Sequence, residues 1–316
     1  MHDIYQNSTL QTQFNLLAFP SFAKVAILLF IGVLLLYLLA MLGNVIIIGL
    51  ICLVPQLHTP MYFFLCNLAF QDIVHVSAIQ PKLMAITMTG DHSISFSGCL
   101  SQIFFFVFCI NAEFFLLTAM AYDRYVAICV PLHYSVTMNK SLCVLLAIIV
   151  WLLAGLNGLM YVLLISNLSF CKSHELNHFF CEYKTMLSVS CNDITTNLII
   201  LFVEDIIIAL FLFTLILASY ILIIFAVLKI PSSAGRNKAF SNCSSHLTIV
   251  ILLYGICLSF YMKPEFEQSQ ERDKALSMVV VLMVPVLNPL VYSLRNKDVL
   301  KALRKVTGIK WKTLPL

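Results

Sequence analysis

The stretch from Met120 to Cys129, MAYDRYVAIC, places an acid, an arginine and a tyrosine side by side where a long apolar segment ends. A run rich in Phe, Ile and Leu precedes Asp123, Arg124 and Tyr125. Charged side chains are costly in hydrocarbon, so charge at the end of such a run belongs at a membrane face. The stretch therefore predicts a polar switch at the inner surface of a membrane protein.

The composition of the chain excludes an ordinary soluble domain. Hydrophobic residues fill 61% of the 316 positions and charged residues only 11%, against roughly 25% charged residues in a soluble domain. A membrane-spanning helix needs about 20 mostly apolar residues. Seven stretches are long enough: residues 25–53, 60–86, 97–123, 142–165, 196–228, 240–262 and 274–293. Because these runs lack the alternation of barrel strands, we predict an all-α membrane protein, a seven-transmembrane helix bundle.

The distribution of basic residues gives the expected orientation. With the N-terminus outside, the inner segments hold twelve of the 19 Lys and Arg residues and the outer segments hold seven. This agrees with the positive-inside bias of membrane proteins and puts Asp123 and Arg124 in the cytoplasm. Of four Asn-x-Ser/Thr sequons, Asn7 and Asn167 fall outside. Asn7, in a free polar tail, is the expected glycosylation site.

Three segments follow from this topology. Residues 1–24 form an extracellular N-terminal tail, residues 25–293 the transmembrane domain, and residues 294–316 a cytoplasmic amphipathic helix and tail. In the last segment, apolar residues and basic residues fall on different faces of a helix, so this helix should lie along the anionic inner leaflet. Its lipid-facing residues would be Val299, Leu300 and Leu303.

Four cysteines fall in predicted outer segments, where an oxidising lumen permits disulfides. They are Cys99, Cys171, Cys181 and Cys191. Four cysteines allow three pairings, and the spacing alone does not select one. The Cys-x-x-Cys pattern typical of a metal site does not occur in the sequence, and no cofactor is expected.

Two acids, Asp72 and Glu113, lie in the middle of apolar runs. Each costs several kcal/mol there unless it is paired or neutralised. Two interpretations remain open. The acids could be protonated and hydrogen-bonded, locking the second and third helices together, or they could form a shared metal-ion (sodium) or proton site near Asn44 and Asn288. Eleven residues, close to three helical turns, separate Glu113 from Arg124, so both point into the bundle.

Short strings spread over almost the whole chain carry a family resemblance. They include LHTPMY from Leu57, PLHY from Pro131, KAFSNCSSHL from Lys238 and PVLNPLVYSLRN from Pro285. The Asp-Arg-Tyr and Asn-Pro-x-x-Tyr elements resemble those of rhodopsin-like G-protein-coupled receptors, and the other strings narrow the resemblance to the odorant receptors. A small departure is Asn242, where that family usually has threonine.

This resemblance implies a receptor that binds a small volatile odorant within the bundle and activates a stimulatory, olfactory-type G protein to raise cyclic AMP. It implies a multi-pass protein in the plasma membrane of olfactory sensory neurons, with no enzymatic activity and no nucleic-acid partner. It also implies disulfides from Cys99 to Cys181 and from Cys171 to Cys191, and a sodium-like site at Asp72. The residues implied in the G-protein switch are Asp123, Arg124, Tyr125, Tyr220, Asn288, Pro289 and Tyr292.

The expected ligand site lies between the third, fifth and sixth helices. Third-helix positions that share the inward direction of Glu113, or flank it, are Phe106, Val107, Ile110, Asn111 and Phe114. Sixth-helix positions are Tyr254, Leu258 and Tyr261, at i, i+4, i+7 spacing, with Cys257 beside them. In the fifth helix, Glu204 is expected to face the ligand with Ile208, whereas Asp205, turned by about 100°, should meet a neighbouring helix or water. Apolar walls with a few polar points suit a small, mostly apolar ligand.

Other functional classes make different predictions from the same residues. A rhodopsin-like receptor for a non-odorant small metabolite would share every feature above. A membrane transporter would predict inverted repeats with broken helices, and the seven unequal spans show none. A membrane enzyme would need a cluster of His, Asp and Glu at one depth, whereas His58, His75, His133 and His246 are dispersed.

Overall fold

A computed structural model describes residues 13–18, 23–171, 173–261 and 270–307. Its helices, in chain order, are α1 (Ala23–Leu53), α2 (Pro60–Thr89), α3 (Phe96–Cys129), α4 (Tyr134–Thr137), α5 (Lys140–Ser166), α6 (Tyr183–Ser188), α7 (Thr195–Leu228), α8 (Ser233–Tyr261), α9 (Gln270–Met278), α10 (Val284–Arg295) and α11 (Lys297–Thr307). Six helical spans are long and apolar enough to cross a membrane, and α8 adds a seventh when its two parts, bent by 45°, are counted together. The predicted seven-helix bundle is confirmed.

Local sequence explains where several of these helices begin and end. The α2 helix starts at Pro60 and stops at Gly90, whose φ of 69° is the left-handed conformation that glycine adopts without strain. The Ser95 hydroxyl accepts a hydrogen bond from Gly98 N and caps the start of α3. The α3 helix runs six residues past the predicted end at Asp123, because the apolar pattern continues until Val130, just before Pro131. Asp123 and Arg124 therefore lie inside a helix rather than after it.

The seventh span is interrupted by a π-helical stretch, Val279–Met283, between α9 and α10. Pro285 and Pro289 have no N–H, so the carbonyl four residues before each proline loses its helical partner. Buried amide side chains from other helices replace both bonds. Gln80 of α2 donates to Val281 O at 3.0 Å, and Asn44 of α1 donates to Pro285 O at 3.0 Å. Polar side chains thereby satisfy the backbone of this proline-containing span inside the membrane.

A three-stranded sheet covers one end of the bundle, which we call the outer end. The strand β1 (Gln13–Leu16) pairs antiparallel with β2 (Ser93–Ser95) and parallel with β3 (Glu175–Leu176). Phe14 and Leu16 are fully buried because alternate residues of β1 face the bundle. Residues Gln13–Leu16 of the predicted N-terminal tail therefore form part of a sheet, and Asn7 lies outside the described residues.

Two disulfides secure the outer end. Cys99, at the start of α3, is joined to Cys181 with their Cα atoms 5.1 Å apart. Cys171 is joined to Cys191 with their Cα atoms 5.9 Å apart. These are the pairs that the family resemblance implied. The first disulfide holds the loop before α6 directly over the outer turn of α3.

At the inner end, α11 packs against the protein as well as presenting basic residues. Asn296 Oδ1 accepts hydrogen bonds from the N–H groups of Asp298 and Val299 and caps the helix. Val299 and Ala302 are buried in the main core. The expectation that Val299 faces lipid is wrong, because its side of the helix docks on the bundle. The domain boundaries at residues 24 and 294 stay a prediction.

Candidate functional site

A cavity of about 190 Å³ lies near the outer end, between α3, α5, α7, α8 and the seventh span. Its α3 wall holds the five positions expected there, together with one further residue. These are Ile103, Phe106, Val107, Ile110, Asn111 and Phe114. Asn111 donates its amide hydrogen to Val107 O at 3.0 Å, so its side-chain oxygen is the polar group that α3 offers to the cavity.

The α7 wall differs from the sequence expectation. Leu201, Asp205, Ile208 and Ala209 line the cavity, but Glu204 does not. Leu201, Asp205 and Ile208 follow i, i+4, i+7 spacing, which is one face of a helix. The assignment of Glu204 to the ligand face and of Asp205 away from it is therefore reversed in the structure.

Glu204 instead contacts α5. Its carboxylate accepts hydrogen bonds from Asn157 Nδ2 and from the Tyr161 hydroxyl, the latter at 2.9 Å. The same hydroxyl lies 3.0 Å from Asp205 Oδ1. A phenol carries one hydrogen, so Tyr161 donates to one of these carboxylates at a time. Tyr161 also lines the cavity, and its hydroxyl lies between Asp205, which lines the cavity, and Glu204, which does not.

The α8 wall is formed by Leu253, Ile256 and Cys257. Tyr254 lies beside the cavity without lining it, and its ring packs 5.1 Å from Phe114, centroid to centroid. Leu258 is 57% exposed and faces away from the bundle, because it is turned by about 100° from Cys257. The prediction that Leu258 faces the ligand is therefore wrong, whereas Tyr254 is buried in the main core beside the cavity. The side chain of Tyr261 lies outside the described residues.

Several lining residues were missed from the sequence. They come from the outer loop, from α5, α6 and the seventh span, and are Tyr161, Cys181, Glu182, Tyr183, Lys184, Ser277 and Val280. The disulfide offered a usable signal, because the residues that follow Cys181 must lie over the outer end of α3 once Cys181 is tied to Cys99. The remaining positions depend on helix rotation, which an all-apolar span does not reveal.

A second polar centre lies deeper, where α2, α3 and α10 meet. Asp72, Glu113 and Asn288 are almost completely buried. Asn288 Nδ2 lies 3.1 Å from each carboxylate oxygen of Asp72 and 3.0 Å from Glu113 Oε1. Both acids therefore share one amide donor. Asn44, expected near them, uses its amide group on the backbone carbonyls of Ala40 and Pro285 instead.

The oxygens at this centre are of the type that binds a small hard cation. Glu113 Oε2 and Asn288 Oδ1 are buried and have no hydrogen-bond partner within the described ranges. Carboxylate and amide oxygens are the ligands that hard cations prefer. Among all the residues that the structure describes, no group of three His, Cys, Asp or Glu side chains could hold a metal ion. A cation here would depend on the two acids and Asn288.

The third centre lies at the inner end of α3. Arg124 forms an ion pair with Asp123, with Nε donating to Asp123 Oδ2 at 2.9 Å. The Tyr134 hydroxyl in α4 donates to the other oxygen of Asp123 at 2.7 Å. Burial, and next the negative charge of Asp123, raise the pKa of the Tyr134 hydroxyl, so it keeps its hydrogen and remains a donor. The carboxylate thus holds the arginine in place.

Arg124 borders an inner cavity of about 670 Å³. The opposite wall of this cavity comes from α8 and from the junction of α10 with α11. Tyr62, the last residue of the LHTPMY string, donates its hydroxyl hydrogen to Asn296 Oδ1 at 3.1 Å. Two of the strings that carry the family resemblance therefore meet in one wall of this cavity.

A buried contact between α7, α8 and α3 lies above this inner cavity. The Tyr220 hydroxyl is 2.6 Å from His246 Nδ1, and His246 Nε2 is 2.9 Å from Leu117 O. A carbonyl only accepts, so Nε2 carries the hydrogen and Nδ1 accepts from Tyr220. From the sequence, His246 was predicted only to be one of several dispersed histidines. Its place in the KAFSNCSSHL string was the signal that could have identified it.

The remaining expected switch residues are spread over the inner half of the bundle. Tyr292 is fully buried in the main core. Pro289 packs against α1, since a Cβ on Gly43 would lie 3.0 Å from Pro289 Cγ. Tyr125 packs against the main core, with its ring centroid 6.3 Å from that of Tyr122. The structure therefore distributes this set over several contacts.

An outer cavity, a buried acid centre and an arginine at the inner end, arranged in seven spans, define a seven-helix signalling receptor of the membrane. The family model described as olfactory receptor matches residues 33–310. Human olfactory receptor 1C1 is 44% identical over 301 residues, which cover 95% of this chain and 96% of that protein. Human olfactory receptor 6N1 is 45% identical over 294 residues (93% and 94%), and mouse olfactory receptor 1E16 is 42% identical over 301 residues (95% and 96%).

The chain therefore belongs to the olfactory receptor family. It is an odorant receptor and a multi-pass membrane protein, and not an enzyme.

Proposed function

We propose that this receptor binds small, mostly apolar volatile ligands in the outer cavity and activates a stimulatory, olfactory-type G protein through Arg124, raising cyclic AMP. The observation that carries the proposal is the cavity itself, with aromatic and aliphatic walls and few polar groups. Its volume of about 190 Å³ is below the roughly 300–1,000 Å³ of pockets for drug-sized molecules. A cavity of this kind favours a small ligand that gains affinity by apolar burial.

The polar groups of the cavity suggest how ligands are distinguished. Asn111 and Asp205 lie on opposite walls, and Tyr161 bridges Asp205 to Glu204. A ligand with one hydroxyl, carbonyl or amino group would be oriented by one of these side chains while its apolar part fills the remaining space. Because Asp205 reaches the cavity and Glu204 does not, Asp205 is the α7 acid that should influence preference among polar ligands.

The ligand site can be tested with variants on its walls. Phe106→Ala should lower potency about tenfold, since losing roughly 55 Å² of apolar contact at about 25 cal/mol/Å² costs ~1.4 kcal/mol. Asp205→Asn should reorder preference among alcohols, aldehydes and amines more than it changes the response to hydrocarbons. The measurement is cyclic AMP against concentration for a panel of volatiles, in cells expressing an olfactory-type G protein.

Two variants provide matched controls for that experiment. Ile207→Ala removes an outward-facing side chain of the same helix and should leave the curves unchanged. Glu204→Gln alters the acid that contacts α5 and should have a smaller effect on preference than Asp205→Asn. Unchanged responses in both Phe106→Ala and Asp205→Asn, at matched surface expression, would move the ligand site elsewhere.

We propose that the inner contacts restrain the receptor until a ligand binds. Asp123 and Tyr134 hold Arg124, and the Tyr220–His246 contact joins α7 and α8 to Leu117 of α3. If α8 moves away from α3, the hydrogen bond from His246 to Leu117 O breaks and the inner cavity beside Arg124 widens. A widened cavity beside Arg124 would accept a segment of the G protein.

The buried acids offer a further control point. A bound sodium ion would supply one positive charge, which offsets one of the two negative charges of ionised Asp72 and Glu113. Asp72, Glu113 and Asn288 Oδ1 would hold it, and a proton shared between the carboxylates would serve the same purpose. The unpartnered oxygens and the single shared amide donor support either occupant. Because Asn288 belongs to α10, neutralisation would bind the seventh span to α2 and α3.

We further propose that the N-terminus is outside and that the receptor works in the plasma membrane of olfactory sensory neurons. Enzymatic removal of N-glycans should then shift the mobility of the protein on gels, and Asn7→Gln should remove most of that shift. Acceptor asparagines are modified only on the lumenal side, so the modified site reports the orientation. A glycan on Asn139, which caps α5 at the inner end, would reverse the topology.

A further inference from the structure

We propose that ligands enter the outer cavity sideways from the outer leaflet of the bilayer, between α6 and α7, and that Leu201 is the gate. This inference rests on the proposed ligand site and adds the route by which that site is filled. The chemical class it implies is a small neutral molecule that dissolves in lipid. Three observations carry it: the outer end is covered, a second cavity opens on the flank of α7, and the two cavities share a wall.

The covered outer end argues against a direct path from water. Phe179 and Phe180 are fully buried, in the same cluster as Phe14 and Leu16 of β1. The Phe180 ring lies 5.0 Å from that of Phe106, centroid to centroid, so this cover rests directly on the ligand site. Lys274 Nζ donates to Asn177 Oδ1 at 2.6 Å and to Leu17 O at 3.2 Å, tying the seventh span to the loop and to the residue after β1.

The histidine of this cover, His178, is uncharged. Burial, and next the positive charge of Lys274, lower the pKa of His178 to about 3, so this ring is neutral at physiological pH. Its contact with Glu182, 3.5 Å away, is then a polar contact and not an ion pair. The neutral His178 packs against Phe179 and Phe180, so these three rings form one aromatic layer above Phe106.

A second cavity, of about 440 Å³, lies on the flank of α7. Its lining comes from α6 and the first turns of α7: Lys184, Thr195, Leu198, Ile199, Phe202 and, shared with the ligand cavity, Leu201 and Asp205. Lys184 also borders both cavities. The two spaces are therefore separated by a wall only one layer of side chains thick.

Exposure identifies Leu201 as the central part of that wall. Leu201 is 6% exposed, whereas Phe202 is 58% exposed, and Leu198 and Ile199 also face outward. A leucine has several rotamers of similar energy, so its side chain can turn aside without movement of the backbone. The outward-facing neighbours form an apolar surface on which a ligand dissolved in lipid would arrive.

The chemistry of the ligand favours this route. Each additional methylene shifts partitioning from water to hydrocarbon by about fourfold. A volatile apolar molecule is therefore far more concentrated in the bilayer than in the water beside it. A side entrance gives the receptor access to that larger supply.

The route can be measured without a known agonist, because Cys257 lies in the ligand cavity with a free thiol. Receptor in lipid nanodiscs would be treated with N-ethylmaleimide, which is neutral, or with a quaternary-ammonium methanethiosulfonate, which is charged. Peptide mass mapping then gives the rate of modification at Cys257, with outward-facing Cys52 of α1 as the internal reference. We expect the neutral reagent to label Cys257 at least tenfold faster than the charged one, after correction for their rates on Cys52.

Variants of the gate should change this rate in opposite directions. Leu201→Trp should slow labelling of Cys257 by N-ethylmaleimide about tenfold, and Leu201→Ala should accelerate it, while Ile207→Trp, on the outward face of the same helix, should have no effect. Having two variants with opposite expected signs guards against misfolding of either one.

Equal labelling by both reagents would indicate an aqueous entrance and overturn the proposal, as would equal rates in all three variants. Absence of labelling in wild type and in Leu201→Ala would show that no such path exists. Because the labelling experiment uses no agonist, it tests only the entry route. The ligand site itself is tested separately, by the cyclic AMP measurements on its wall variants.

Discussion

Arg124→Ala is expected to abolish agonist-driven cyclic AMP while leaving folded receptor in the membrane. Arg124 borders the inner cavity, and its side chain is held by Asp123, which is held in turn by Tyr134. Removing the arginine takes away the charge that the G protein would contact, without opening the apolar core. The measurement is the cyclic AMP response at matched surface expression, with thermal stability in detergent as the test of folding.

Substitutions of the two residues that hold Arg124 should raise basal signalling. Asp123→Asn removes a charged hydrogen-bond acceptor, which contributes about 1.5–3 kcal/mol, so the restrained state should lose tenfold or more of its advantage and basal signalling should rise. Tyr134→Phe should raise basal signalling by a smaller factor. Lys140→Ala, an exposed basic residue at the start of α5, is the matched control. Normal signalling by Arg124→Ala would refute this transduction mechanism.

Asn288→Leu should cause the largest loss of folded receptor. This change removes the one amide that donates to both Asp72 and Glu113, and each buried acceptor left without a donor costs about 1–3 kcal/mol or more. Against a total stability of about 5–15 kcal/mol, we expect surface expression to fall severalfold. Ser293→Ala, on the same helix with only a local hydrogen bond to Leu290 O, should be neutral.

A second substitution tests the cause of that loss. Glu113→Gln in the Asn288→Leu background supplies a new amide donor beside Asp72 and should recover part of the expression. If a cation occupies the centre, replacing choline chloride by sodium chloride should raise the melting temperature of wild type but not of Glu113→Gln. If a shared proton is the occupant, the two salts should give the same melting temperature. Full expression of Asn288→Leu would mean that the acids do not depend on this donor.

The spans could be predicted closely from the sequence, but the rotation of the helices could not. A stretch of about 20 apolar residues marks a span whatever its neighbours are. Lipid is as apolar as a protein core, so a helix in the membrane has no polar face to indicate its inner side. Leu258 and Phe211 face outward although they are as hydrophobic as the cavity residues. The errors at Glu204 and Leu258 have this cause.

Positions with a chemical reason to face inward were found more reliably. Buried acids are costly in lipid, so Asp72 and Glu113 were expected to meet inside the bundle, and one amide contacts both. The strand β1 was missed because four residues of alternating character do not form a sheet without partners that are distant in the chain. His246 was missed because its partners lie on two other helices.

The side-chain amides of Asn44 and Gln80 divide the bundle into a static side and a movable side. Asn44 and Gln80 donate to backbone carbonyls that have no partner within the seventh span. Separating that span from α1 or α2 would leave these carbonyls without hydrogen bonds inside the membrane. The α8 helix has no such constraint from Tyr220, since a hydroxyl and an imidazole can exchange partners with water entering from the inner cavity. Motion on activation should therefore be concentrated in α7 and α8, and the other spans should act as the frame against which it is measured.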